Sequence, residues 1–354
     1  VPALRAQGAE VVLATVRGST LEADEYLWTL DGPHLSKIAQ PYNHSVGIAA
    51  SHMHTVARFL EDRRSGHVDV VHDHVEILGP TVLGAMGSRC PPVLQTLHWD
   101  LTKHHDFYRN FDGHGRAAFA AVSRPQLDRA PANLRRQTLG VVPLGVATTD
   151  DLDRPLPTHG VGAPAVVLAR ITRDKGQHVA IRVAREAGVP LVLAGPVAGV
   201  DDPEELTERL RNPRDPLHTH PDVAYFCHEV APHLDGTTVS WLGGVDGQDK
   251  DDLLAGACAL LAPVQWAEPG ATAVVEALAC GVPVVATPHG AHATLVRHGT
   301  TGFLATDEHE LAGHLTEVDA IDRQECRRDA QAWTPDEMAR DYLRLYDELL
   351  RRNP

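Results

Sequence analysis

The chain has no apolar run near the length of a membrane span, no basic surplus, little lysine and few aromatics. A bilayer-crossing helix needs about 20 consecutive apolar residues, and no secretory leader pattern is visible. The formal charge of −15 removes the basic surface that non-specific binding to nucleic acid or an anionic membrane requires. The five cysteines, Cys90, Cys227, Cys258, Cys280 and Cys326, are odd in number, widely spaced and without a Cys-x-x-Cys pair. They read as reduced core residues of a cytoplasmic protein. Aromatics at 5% suit an Ala/Val/Leu-rich α/β protein better than a β-sandwich. Lysine is rarer still: Lys37, Lys103, Lys175 and Lys250 stand against 28 arginines, so each lysine is worth locating.

What is present is an alternation of short apolar strands and helical stretches over 354 residues, enough for two ordinary domains. Residues 1–7 read as the end of a helix closed by Gly8, and residues 10–16 as a buried strand. Residues 17–46 read as irregular and residues 47–64 as helical. Short strands follow over 68–71, 93–97, 117–122 and 141–142. A doubly wound parallel sheet binds ligands at the carboxyl ends of its strands. That rule places His72, His74 and His98 at the mouth of the N-terminal half.

From Ala147 to Pro164 the chain crowds Thr, Asp, Pro and Gly together, the composition of an interdomain linker. The expected organisation is a domain over 1–146, a linker over 147–164, a second domain over 165–334 and a closing helix over 335–354. The second domain repeats the alternation, with strands over 165–169, 191–194, 238–242, 258–263 and 283–286 and helices over 177–187, 203–211 and 249–256. The closing helix carries Met338, Tyr342, Leu345, Tyr346 and Leu349 at helical spacing.

One stretch organises the rest: Glu268-Pro-Gly-Ala-Thr-Ala-Val-Val-Glu276-Ala-Leu-Ala-Cys-Gly281, between two buried-strand candidates. Glu276 lies among Val274, Val275, Ala277, Leu278 and Ala279, a helix apolar on nearly every face. A buried carboxylate without a partner is costly, so Glu276 must escape to a cleft or receive hydrogen bonds, as from the vicinal hydroxyls of a ligand. Pro269-Gly270 is expected to open the helix, leaving the N–H groups of residues 270–273 to face an anion. Carboxylates for hydroxyls beside a helix end for phosphate describe a nucleotide-sugar site.

Two glutamates separated by seven residues, followed by Ala-Leu-Ala-x-Gly-x-Pro-Val-Val-Ala, resemble the retaining family 4 glycosyltransferases. Most members carry an aromatic residue after Glu-Pro. The variant Glu-Pro-Gly-Ala-Thr is similar to a subset that includes a glycosyltransferase of avilamycin biosynthesis. The resemblance implies the GT-B fold, two doubly wound Rossmann-like domains facing a central cleft, with the last helix returning to the first domain. It implies a nucleoside-diphosphate sugar as donor, a hydroxyl as acceptor, retention at the anomeric carbon by front-face attack, and no obligatory metal or enzymic nucleophile. Glu276 would hold ribose, Glu268 the hydroxyls of the transferred sugar, and the N–H groups of Gly270, Ala271 and Thr272 the phosphate and sugar. The stretch from Leu242 to Val245 would hold the base by its backbone, with uracil and guanine both open. His98 would lie near sugar and acceptor, with His72 and His74 on the acceptor side.

Arg170 ends a strand and Lys175-Gly176 precedes a helix, so two cations face the expected cleft. A guanidinium fork and an ammonium point charge suit a diphosphate. The alternative is an Arg170–Asp174 surface pair with a solvated Lys175. His72-Asp73-His74 and the run from His98 to His105 also invite a metal, but a third ligand would have to come from elsewhere. Asp151-Leu-Asp153, in the linker, reads as solvated. Two rivals to transfer are a GT-B sugar-nucleotide epimerase, which needs acids and bases around the sugar ring, and a two-domain solute-binding protein, which would cross between domains several times. A last expectation is that a strand, a Gly-rich loop and most of a helix precede Val1 in the natural protein, since the strand over 10–16 resembles the second of its sheet.

Overall fold

The structure is a computed structural model, and it describes residues 1–33, 42–62, 68–147, 156, 160 and 162–353. Most of the expected linker, with Asp151 and Asp153, lies outside the described residues. The chain divides into two compact units, one formed by Val1–Gly145 with Pro335–Pro354 and the other by Val146–Thr334. No helix among the described residues is long and apolar enough to cross a membrane.

The first unit opens with α1 (Pro2–Ala6), whose end is turned by Gly8 at φ 92°. Strand β1 (Val12–Val16) pairs in parallel with β2 (Glu25–Leu30). The second strand corrects the expectation of irregular structure over 17–46. Its sequence EYLWTL shows neither strict alternation nor a continuous apolar run, because the strand is only partly buried. Thr29 fixes it from within, donating to the Thr15 carbonyl at 3.1 Å and sharing a hydrogen bond with His52 Nδ1 at 2.7 Å.

Helix α2 (Tyr42–Glu61) and helix α3 (Leu78–Met86) flank a second parallel sheet. Its order is β3 (Val71–Asp73), β4 (Val93–Leu97), β5 (Ala117–Ala121) and β6 (Thr138–Val141). β4 and β5 are buried at every position, as expected of inner parallel strands covered on both faces. β3 begins three residues later than expected, so His72 and Asp73 are in the strand rather than beyond it. The register decides this: Val71 pairs with Val93 and Asp73 with Gln95. The C-terminal helix Pro335–Arg352 belongs to this unit and buries Ala339, Tyr342 and Leu349. Tyr342 and Leu349 pack among Leu94, Ala118, Ala120 and Val142.

The second unit holds one parallel sheet of six strands in the order β12-β11-β10-β7-β8-β9. These are β7 (Ala165–Leu168), β8 (Leu191–Ala194), β9 (Val239–Trp241), β10 (Ala259–Ala262), β11 (Val284–Ala286) and β12 (Gly302–Leu304). Its longer helices are α4 (Gln177–Ala187), α5 (Pro203–Arg211), α6 (Gly247–Ala255), α7 (Thr272–Ala279), α8 (Glu308–Thr316) and α9 (Arg323–Ala330). Both faces carry an apolar core: Val179, Ile181 and Leu191 sit in one cluster, Val274, Leu278 and Leu260 in the other. The strand order reverses between β7 and β10, and the carboxyl ends at such a point form a crevice.

Candidate functional site

Arg170 follows β7, and Glu268 follows β10, so both lie at the switch point of the sheet. Two loops meet there. The N–H of Gln265 donates to the Asp174 carbonyl at 2.8 Å. Gly176, at φ +75°, lies so close that a Cβ would stand 2.1 Å from the Pro263 carbonyl oxygen, which admits glycine alone. The loops thus stitched bring Lys175 Nζ to 2.6 Å from Glu268 Oε2. Trp266 Nε1 donates to the same oxygen at 2.8 Å, and Lys175 stands 5.4 Å from the Trp266 ring. Lys175 is therefore not solvated; its side chain is 17% exposed.

Helix α7 starts at Thr272, two residues later than Pro269-Gly270 suggests. Ala271 is its N-cap, buried and in the left-handed region at φ 50° and ψ 50°. A non-glycine residue held there costs on the order of 1–3 kcal/mol, and such strain clusters at functional sites. The unsatisfied N–H groups of the first turn accordingly belong to Thr272 and Ala273 rather than Gly270.

A pocket of about 480 Å³ opens beside this helix end. Arg170, Val245, Thr272 and Glu276, all expected at the site, line it together. Gly195, Asp201, Asp246 and Lys250 line it as well, and the sequence reading assigned none of them. Gly195 lets β7 and β8 converge, since a Cβ there would lie 2.0 Å from the Ala169 carbonyl oxygen. Glu276 meets both demands of its apolar helix: it turns into the pocket and receives a bond from Lys250 Nζ at 2.6 Å. Burial alone would lower the Lys250 ammonium, but the hydrogen bond and charge of Glu276 outweigh it and raise the group above its ordinary value.

Glu268 and Lys175 adjoin this pocket rather than line it, with Gly270 and Ala271 in the connecting segment. Leu242 stands apart from the lining. Its N–H donates to the Leu193 carbonyl at 3.0 Å, continuing the sheet, and its side chain is 47% exposed. The Gly244 N–H is likewise committed, to the Asp201 carbonyl at 2.8 Å.

In the first unit the histidines join a different network. His72 hydrogen-bonds Thr96 Oγ1 through Nε2 at 2.8 Å and the Tyr346 hydroxyl through Nδ1 at 2.6 Å. Thr96 in turn meets the Tyr342 hydroxyl at 2.8 Å, so His72 helps seat the C-terminal helix. Burial holds the His72 imidazole well below its ordinary value, with His74 and His98 adding to the effect. His74 Nδ1 lies 2.9 Å from His98 Nε2. Among the described residues no three His, Cys, Asp or Glu side chains converge on a possible metal position.

The segment carrying His98 is gripped from two sides by residues the sequence did not single out. Glu76 Oε1 accepts the N–H groups of His98 at 3.0 Å and Trp99 at 3.3 Å. Gln126 Nε2 donates to the carbonyls of Leu97 at 3.0 Å and Trp99 at 2.8 Å.

Residues 162–332 match the family model described as glycosyl transferases group 1, so the second unit carries a domain of that group. The protein named as colanic acid biosynthesis glycosyltransferase WcaL is 29% identical over 191 residues in Salmonella typhimurium, covering 52% of this chain and 43% of that protein. Its Escherichia coli K12 namesake is 29% identical over 197 residues, covering 54% and 44%. The chain thus spans less than half the length of these curated relatives. Among solved structures, AviGT4, a glycosyltransferase involved in avilamycin A biosynthesis, gives a TM-score of 0.61 at 24% identity over 99% of this chain and 87% of that one. Sucrose-phosphate synthase from Thermosynechococcus elongatus gives 0.65 at 18% identity over 99% and 91%. Anabaena HepE in complex with UDP-glucose gives 0.59 at 18% over 92% and 86%. These likenesses show the fold, which is α/β with parallel sheets of the GT-B type.

Proposed function

We propose that this chain is a retaining glycosyltransferase that takes a nucleoside-diphosphate sugar in the pocket of its second unit and passes the sugar to an acceptor hydroxyl. One observation carries the reading: Glu276, the amino end of α7 and Arg170 line a single pocket at the switch point of the sheet. A carboxylate suited to ribose hydroxyls, a positive helix end and a guanidinium are thus within one ligand's reach. The group 1 domain supports the reading, as does the name of the HepE complex, which holds UDP-glucose.

In this proposal Arg170 and the N–H groups at Thr272 and Ala273 receive the diphosphate, whose charge grows as the sugar departs. Glu268 accepts from hydroxyls of the transferred sugar, held in place by Lys175 and Trp266. Lys175 shares its charge between Glu268 and the phosphates. Val245 and its neighbours receive the base. His98 and His74 serve the acceptor side, while His72, with both ring nitrogens bonded to Thr96 and Tyr346, seats the C-terminal helix. Charge stabilisation by the helix end and the two cations suffices for departure of the diphosphate, and no metal is assigned a role.

Calorimetric titration with UDP, GDP, dTDP and ADP sugars tests the reading. The expected result is saturable binding of at least one of them, with the product of transfer keeping the anomeric configuration of the donor by NMR. Binding of none, or a product of inverted configuration, contradicts it.

A further inference from the structure

Two of the four lysines meet the two motif glutamates, each with its Nζ 2.6 Å from one carboxylate oxygen. Lys175 has an expected partner in the phosphates. Lys250 has no assigned part, although it lines the pocket from α6 and its side chain is three-quarters buried. Its partner Glu276 lies between Val275 and Ala277, both essentially buried, in a helix that offers the carboxylate no other polar neighbour within one residue. A lone carboxylate in that setting would take a proton or swing away. Lys250 supplies the counter-charge and fixes one oxygen, Oε1, so that a hydroxyl entering the pocket meets an acceptor already in place.

We propose that Lys250 is a positioning residue that sets the Glu276 carboxylate to read the vicinal hydroxyls of ribose, making the site selective for ribonucleoside over 2′-deoxyribonucleoside diphosphates. This rests on the donor-site reading above. The rival is that Lys250 acts as a plain cation toward the phosphates, drawing on its charge and not on Glu276. The two differ in what they require. A positioning lysine has no effect once Glu276 loses its charge and a smaller one once the ribose loses one of its two hydroxyls, whereas a phosphate cation acts equally in both cases.

The experiment is calorimetric titration of wild type, K250M, K250R, E276Q and K250M/E276Q with UDP, GDP, ADP and their 2′-deoxy counterparts, each variant being checked for an intact thermal transition. K250Q, a donor without charge, stands in should K250M not fold. Wild type is expected to favour the ribonucleotide roughly tenfold or more, the span of one hydrogen bond to a charged group. K250M should weaken the ribonucleotide by roughly tenfold and bring the ribo-to-deoxy ratio close to one, with K250R keeping most of the preference. Adding K250M to E276Q should change nothing further. Equal losses for ribo and deoxy ligands that persist in the E276Q background overturn the positioning role while leaving the donor site standing, as does no loss in K250M. Failure of wild type to bind any of the six overturns the donor-site reading itself, and this one with it.

Discussion

In the second unit each motif glutamate meets a lysine at 2.6 Å, whereas in the first unit two buried carboxyls each keep an oxygen without a hydrogen-bond partner among the described residues. Those two are Asp73 and Glu76. Beside them Gln95, 1% exposed and opposite Asp73 in the strand ladder, has neither end of its amide bonded. Removing a charge from water is repaid only by a good partner. Lys175 and Lys250 are such partners for the site carboxylates of the second unit. Among the described residues of the first unit neither Asp73 nor Glu76 meets a lysine or arginine, and burial pushes both up to about 7. The lesson is that a carboxylate met by a lysine is a prepared acceptor, whereas one buried without such a partner is pushed up toward neutrality.

The comparison is most exposed to attack at Glu268. Glu268→Ala should lower kcat on the order of 10²–10³-fold, the scale on which loss of a group bonded in the transition state acts. Donor affinity should hold, because Lys175 then turns wholly to the phosphates. A raised KM with kcat intact would mean that Glu268 binds rather than assists.

Asp73→Asn addresses the other side. The wild-type carboxyl titrates near 3.8 when unfolded and about 7 when folded. Between those values the native state holds more protons, so this group makes stability fall as pH rises from about 4 to about 7, with no further change above. Asparagine removes that fall. Its gain over wild type should be on the order of 2–4 kcal/mol at pH 8 and close to nothing at pH 4, read from denaturant unfolding at both values. The same difference at the two pH values would show that Asp73 is not raised.

Glu276→Ala should weaken nucleotide binding roughly 10- to 100-fold while leaving the fold intact. Lys175→Ala has the smallest expected effect, about a tenfold loss for the sugar nucleotide and little for the free nucleoside. Equal losses for both ligands would make Lys175 a structural partner of Glu268 alone.

Much of this was legible before any coordinates. Strands of continuous Val, Leu and Ala such as β4 and β8 occupy the expected residues, and so do α4, α5 and the C-terminal helix with its apolar stripe. These segments carry their own period or composition. β2 was not legible because a half-exposed strand need not alternate, and β12, three residues long, offers too little pattern to distinguish it from a turn. The helix start at α7 was misplaced for a different reason. Gly270 looks like the residue that adopts the unusual backbone, yet Ala271 adopts it, and only the surrounding packing forces an alanine there.

The site divides in the same way. Glu268, Glu276, Arg170 and Lys175 stood out by motif. Lys250 did not, since in Gln248-Asp-Lys-Asp-Asp252 it reads as one charge of a solvated run; the scarcity of lysine was the sole hint. Glu76 and Gln126 act on backbone groups 22 and 29 residues away in sequence, a relation no local pattern encodes.

The central claim is that the pocket beside α7 receives the nucleotide of a donor sugar through Glu276. The most direct test titrates wild type and Glu276→Ala, side by side in a calorimeter, with the nucleoside diphosphate that wild type binds best. The account predicts a measurable dissociation constant for wild type, a 10- to 100-fold weaker one for the variant, and unchanged melting of the unliganded protein. Equal affinity in the two proteins would place the nucleotide elsewhere and contradict it.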